Sequence, residues 1–252
     1  MSKIAFITGA TAGIGEACAR LFAQQNYNLI LLARRAKRLQ SLAEKLRTEF
    51  GIEVQTFEAD VRENTTVQEL NDLPEKWKKV DVLINNAGLS RGLDPINSGD
   101  TDDWDAMIDT NVKGLLYVTR VVSNWMIGHG PAHIVNIGSI AGKETYLNGN
   151  VYCATKYAVD SLNQAMRIDL LPHKIKVTGI HPGAVETEFS EVRFKGDFER
   201  AKKVYDGFQP LLAQDIADAI WFAISRPAHV NINDMIVMPT AQANTTHLLR
   251  EI

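Results

Sequence analysis

Short runs of apolar and β-branched residues alternate along the chain with longer stretches whose apolar positions recur at helical spacing, the pattern of stacked βαβ units. The runs Ile4–Thr8, Asn28–Ala33, Glu53–Glu58, Val82–Asn85, His133–Ile137, Lys176–His181 and Met235–Met238 predict seven strands. Most are apolar throughout, as a parallel sheet covered on both faces requires. Helices are expected over Ile14–Gln25, Ala36–Phe50, Thr66–Leu73, Asp102–Gly128, Val151–Leu171 and Asp215–Ser225, with Ile14, Cys18, Leu21 and Phe22 as the buried face of the first. The fold class that follows is α/β: a doubly wound, seven-stranded parallel sheet with helices on both faces. The stretch Gly183–Gln214 interrupts the alternation, being polar and without a clean period. A long irregular insertion in a compact domain is usually functional.

Composition narrows the class. A chain of 252 residues that is 45% hydrophobic builds one large core and reads as a single domain, 1–252. A net charge of −3 with the basic residues dispersed supplies no field for a polyanion, so nucleic acid is not an expected partner. Cys18 and Cys153 lack the paired spacing of a metal site or a disulfide framework, so no metal is expected and both are read as reduced thiols. The apolar run Ile4–Ile7 is too brief for a signal-peptide core or a membrane span. The expected setting is the cytoplasm, away from membranes.

The first chemical signal is Thr8-Gly9-Ala10-Thr11-Ala12-Gly13-Ile14-Gly15, where the first strand ends and the first helix begins. Glycines there let the backbone turn sharply and approach a pyrophosphate, which rests on the free N–H groups and positive dipole end of the helix. A plain tight turn has the same need for glycine. About 20 residues beyond such a loop an acidic side chain would accept the ribose hydroxyls of NAD, but the second strand ends here in Ala33-Arg34-Arg35. Two guanidinium groups suit a 2′-phosphate, so NADP(H) is the expected cofactor; the other role open to Arg34 and Arg35 is to solvate the start of the next helix.

The second signal is Tyr152 with Lys156 four residues on, one helical turn away on the same face. A phenol titrates near 10 in water, and a cation on its flank stabilises the phenolate and brings it towards working pH. Tyr146 and Tyr157 have no lysine four residues later, since Asn150 and Ser161 stand there.

The Thr-Gly-x-x-x-Gly-x-Gly loop and the Tyr-x-x-x-Lys pair together resemble the short-chain dehydrogenase/reductase family, and the resemblance covers nearly the whole chain. It implies a Rossmann-type sheet and a catalytic set of Ser139, Tyr152, Lys156 and Asn111. In that set the serine hydrogen-bonds the substrate oxygen, the tyrosine moves the proton, the lysine holds the nicotinamide ribose and the asparagine positions a water. It further implies cofactor contacts from Gly9, Thr11, Ala12, Gly13, Ile14, Gly15, Arg34, Arg35, Asp60, Val61, Asn86, Ala87 and Gly88. Pro182, Gly183, Val185 and Thr187 would fasten the carboxamide end. Family members commonly form homotetramers through the helices matching Asp102–Gly128 and Val151–Leu171.

The stretches Gly149–Tyr152, Glu188–Gly196 and Asn231–Asn233 are similar to a subgroup of NADP-dependent 3-hydroxy acid dehydrogenases acting on serine, allo-threonine and short semialdehydes. Lys143 and Glu144 are expected to reshape the pocket relative to that subgroup. Arg193, in the irregular segment, is the candidate partner for a substrate carboxylate; its other reading is a surface arginine paired with Glu188, Glu191 or Asp197. Three alternatives remain: a broad carbonyl or 3-oxoacyl reductase; an NADP-sensing regulator without chemistry, which has no need of Ser139, Tyr152 and Lys156; and a sugar-nucleotide epimerase, for which too little chain follows Gly183.

Overall fold

All seven apolar runs become strands of one sheet. A computed structural model describes residues 2–251. It places β1 (Ile4–Thr8), β2 (Asn28–Ala33), β3 (Val54–Glu58), β4 (Val82–Asn85), β5 (Ala132–Ile137), β6 (Ile175–Pro182) and β7 (Asp234–Val237) in a parallel sheet of order β3-β2-β1-β4-β5-β6-β7. Strand order reverses between β1 and β4, so the crossovers from the two halves leave on opposite faces and open a crevice at the carboxyl ends of the strands.

The helices are α1 (Gly13–Gln24), α2 (Ala36–Phe50), α3 (Asn64–Gln68), α4 (Thr101–Ile108), α5 (Leu115–Met126), α6 (Asn150–Asp169), α7 (Phe189–Arg193), α8 (Phe198–Lys203) and α9 (Ala213–Ile224). Alternation along each strand sends its side chains to two cores. Ile4 and Phe6 of β1 face α5 and α6 with Leu83, Ile134 and Val177. Ala5 and Ile7 face α1, α2 and α9 with Leu31, Val135 and Ile180. On that second side Phe22, Tyr27 and Trp221 meet edge to face, with centroids 5.2 to 6.0 Å apart, a geometry aromatic quadrupoles favour. Phe6 is wholly buried, and its truncation to alanine costs about 3–5 kcal/mol.

Three expectations are corrected. The helix over Asp102–Gly128 is interrupted by a π turn at Asp109–Gly114. Its buried positions are Thr110, Asn111 and Gly114, and Gly114 lies so close to Val61 that a Cβ would come within 2.6 Å of Cγ2. The segment 183–214 is not wholly irregular: it holds α7, α8 and a two-residue parallel ladder joining Val185–Glu186 to Leu211–Leu212. On α1, Cys18 and Phe22 are fully buried with Ala19 and Ala23, whereas Ile14 and Leu21 are only partly covered.

Candidate active site

The turn after β1 is fixed by the side chains of Thr8, at the end of β1, and Asn86, just past β4. Thr8 Oγ1 accepts the N–H groups of Asn86 and Ala87 at 3.0 and 2.9 Å, and Asn86 Nδ2 donates to the carbonyls of Thr8 and Gly9 at 2.9 and 3.3 Å. Gly9 has φ +66° and Gly13 φ +50°, values that favour glycine; a Cβ on Gly9 would come within 2.9 Å of Asn86 Nδ2. Gly15 serves differently from the expectation. It is buried off the cleft wall, with the Gly9 carbonyl against its Cα, so that it seats α1 beneath the turn.

Above this floor opens a cleft. Gly9, Thr11, Ala12, Gly13, Ile14, Arg34, Arg35, Asp60, Val61, Asn86, Ala87 and Gly88 line one end, and Pro182, Gly183, Val185 and Thr187 line the other beside Ser139, Tyr152 and Lys156. Neither arginine of the pair stands alone: Arg34 lies 3.5 Å from Asp60, which also takes Arg62 at 2.7 Å, and Arg35 meets Glu188 at 2.7 Å. The side chain of Arg62, not anticipated from sequence, holds the Asp60 carboxyl below its usual range against the opposing effect of burial.

Ser139 follows β5 in extended conformation, and its hydroxyl accepts from Ala141 N at 3.1 Å. Tyr152 and Lys156 lie on the first turns of α6, both buried. Lys156 Nζ donates to the Ile137 carbonyl at 2.9 Å and stands 5.9 Å from the Tyr152 ring, and burial pulls its pKa down to about 8. Burial pushes the Tyr152 phenol above its ordinary value, opposed chiefly by the Arg193 guanidinium and then by the Ser139 hydroxyl. Asn111 sits in the π turn and off the cleft wall. Its side chain is fully engaged, accepting from Leu89 N at 2.8 Å and donating to Leu89 O at 2.8 Å and Thr155 Oγ1 at 3.0 Å.

Arg193 is the closer cation, with its guanidinium carbon 5.2 Å from the Tyr152 ring centroid and 5.5 and 5.8 Å from those of Phe189 and Tyr146. It does not pair with Glu188, Glu191 or Asp197. Nε donates to Ser90 Oγ at 3.0 Å and Nη2 to Tyr146 Oη at 2.6 Å, while Nη1 makes no hydrogen bond among the described residues. Ser90 and Tyr146 carry no motif, and only the fold brings them to Arg193.

Lys143 and Glu144, expected at the pocket, do not line the cleft. Glu144 accepts from the backbone N–H of Thr245 at 3.2 Å. Lys143 Nζ lies 2.7 Å from Asp160 and 3.8 Å from Asp234, which also share His181. The three groups Asp160, His181 and Asp234 converge as metal ligands do, but the lysine ammonium stands where a cation would neutralise them.

The family model for short chain dehydrogenases matches residues 3–197. The chain belongs to the short-chain dehydrogenase family. This short-chain dehydrogenase is 46% identical over 242 residues to the NADP-dependent 3-hydroxy acid dehydrogenase YdfG of Salmonella typhi, covering 95% of this chain and 96% of that one. It is 44% identical over 245 residues to sulfoacetaldehyde reductase 2 of Chromohalobacter salexigens, covering 96% of each. A structure of serine dehydrogenase in its closed form with NADP+ superposes with a TM-score of 0.91 at 42% identity, over 99% of this chain and all of that one.

Proposed function

We propose that this short-chain dehydrogenase is an NADP-dependent oxidoreductase that interconverts hydroxyl and carbonyl on small acids whose anionic group is one carbon removed from the reacting carbon. Serine, allo-threonine and 3-hydroxypropionate fit in the oxidative direction, and the matching semialdehydes in the reductive one. Arg193 carries the reading: a guanidinium beside the Tyr152 ring, held by two neutral hydroxyls and with Nη1 uncommitted, suits an entering carboxylate. The relatives agree with it, since 3-hydroxy acids and sulfoacetaldehyde both place an anion one carbon from the reacting centre.

The residues fit a dinucleotide by their own geometry. The positive-φ glycines leave bare backbone at the floor of the cleft, which would accept a pyrophosphate across Thr11–Ile14. Arg34 and Arg35 would take the 2′-phosphate, Asp60 and Val61 the adenine side, Asn86–Gly88 the middle, and Pro182, Gly183, Val185 and Thr187 the nicotinamide end. When bound, NADP accepts a hydride from the carbinol carbon or, reduced, gives one to the carbonyl. Tyr152 Oη takes the hydroxyl proton during oxidation and returns it during reduction, while Ser139 Oγ hydrogen-bonds the substrate oxygen. Because burial alone raises the phenol, Arg193 and Lys156 act together to keep the phenolate accessible. Lys156 also offers its ammonium to the ribose, and Asn111, bonded to Thr155 and Leu89, holds the π turn behind it.

Segment 183–214 is proposed as the cover over the substrate, with α7 carrying Arg193 in. No helix among the described residues is long and apolar enough to cross a membrane; the cytoplasm, where the buried thiols of Cys18 and Cys153 stay reduced, is the proposed setting. A homotetramer is proposed through α4, α5 and α6, so light scattering should give four times 28.0 kDa.

The deciding experiment compares Arg193→Ala with the parent enzyme on 3-hydroxypropionate and on a neutral short alcohol. KM for the acid should rise about tenfold or more, the size of a lost charge-assisted bond, with the neutral substrate little changed. Equal losses on both would reduce Arg193 to a folding role and favour the broad carbonyl reductase.

A further inference from the structure

Segment 183–214 is tied across the mouth of the cleft by one carboxylate. Glu188 Oε2 lies 2.7 Å from Arg35 Nη1, and its Oε1 lies 2.6 Å from Arg38 Nη1. Arg35 is itself anchored to the glycine loop, with Nε on Thr11 Oγ1 and Nη2 on Thr11 O, each at 3.2 Å. The preceding residue, Thr187, packs against Gly13, where a Cβ would meet its Cγ2 at 3.0 Å. Arg35 and Glu188 both line the cleft, whereas Arg38 stands behind them and does not. A continuous bonded belt therefore runs from the glycine loop through Arg35 and Glu188 to the segment carrying Phe189 and Arg193.

A carboxylate between arginines beside a phosphate site is either a competitor that the phosphate displaces or a clasp that stays. Charge separates the two. Arg34, Arg35 and Arg38 bring three positive charges against the single one of Glu188, and Asp60 is already neutralised by Arg62 at 2.7 Å. The two positive charges left over match a phosphate monoester, which carries about −1.5 to −2. Phosphate and carboxylate are therefore accommodated together, and each oxygen of Glu188 keeps its own guanidinium.

We propose that Glu188 is a cofactor clasp: bridging Arg35 and Arg38, it holds the covering segment shut over bound NADP(H) and sets how fast the cofactor leaves. The proposal rests on the NADP reading above. Because the three side chains are 40% to 55% exposed, water and salt weaken each pair, and the clasp opens readily enough to allow exchange.

The test is NADPH release followed by stopped-flow fluorescence for wild type, Glu188→Ala, Arg38→Ala and the double variant. Each single substitution should speed release about three- to tenfold, a range typical of exposed ion pairs acting together. The double should add little to either, because one interaction is removed in both. Wild-type release should also quicken with salt towards the rates of the variants. Slower release from Glu188→Ala would make the carboxylate a competitor and overturn the clasp, as would unchanged rates. A second readout needs no cofactor: in the free protein, amides from Thr187 to Phe194 should exchange hydrogen faster in both single variants, and unaltered protection would overturn the proposal. Failure of the wild type to bind NADPH at all would instead sink the cofactor reading beneath it.

Discussion

The two ends of the cleft are made of different material. At the glycine loop the surface is backbone, shaped by residues without side chains and braced from below by Thr8 and Asn86. At the other end Ser139, Tyr152, Lys156 and Phe189 present side chains to the cleft, and Arg193, off its wall, bonds to Ser90 and Tyr146 beside the Tyr152 ring. The first end is therefore sensitive to added atoms, and the second to lost ones. On the proposed reading, the nucleotide would rest on backbone and the substrate among side chains.

The sharpest way to break this contrast is at Tyr152. Tyr152→Phe removes one oxygen from the side-chain end, and turnover should fall about a hundredfold or more, as for lost acid–base catalysis. NADPH affinity, measured by fluorescence titration, should stay nearly intact, and a matched loss of affinity would erase the distinction between the ends. The reciprocal change adds one carbon at the backbone end. In Gly15→Ala the new methyl runs into the Gly9 carbonyl, a backbone contact that cannot yield. With overpacking costs of about 1–3 kcal/mol, cofactor affinity should drop by roughly ten- to a hundredfold. Wild-type affinity in that variant would show that the glycine floor is not a rigid template.

The third test probes Lys156, where the two ends meet. Its pKa falls from the unfolded value of 10.5 to about 8, so the native state releases this proton first. Between these values the unfolded chain binds more protons, and stability gains from this residue as pH rises through the window; below about 8 the native state carries the full cost of the buried charge. Lys156→Met should accordingly be most favourable relative to the parent below pH 8, with its advantage shrinking by up to about 3 kcal/mol on approach to pH 10.5. Urea titrations at pH 7 and pH 10 check the sign, and a pH-independent difference would place the ammonium in contact with water.

The same contrast explains what could be read in advance. That Gly9, Gly13, Arg34 and Arg35 line one cleft was legible because a strand, a turn and a helix follow one another in sequence, so that local order is also spatial order. The seven strands were legible for the same local reason, each bounded within one residue of expectation. Ser90 and Tyr146 were not, since the bonds that recruit them to Arg193 span 103 and 47 residues. Nor was Glu188 as the partner of Arg35, 153 residues away. Lys143 misled for a related reason: proximity in sequence to α6 suggested the pocket, whereas its charge is spent on Asp160 and Asp234. The break in the long helix left no trace because Met107, Leu115, Val118 and Val122 keep an apolar rhythm on both sides of it.

That break has a bearing on how such a chain changes over generations. A π turn is an α-helix carrying one surplus residue, so deleting one residue between Asp109 and Gly114 would let α4 and α5 run on as one regular helix. Such a deletion would preserve the shape and displace Asn111 from Thr155 and Leu89. A one-residue deletion there would leave the helix regular while removing the support proposed for Lys156.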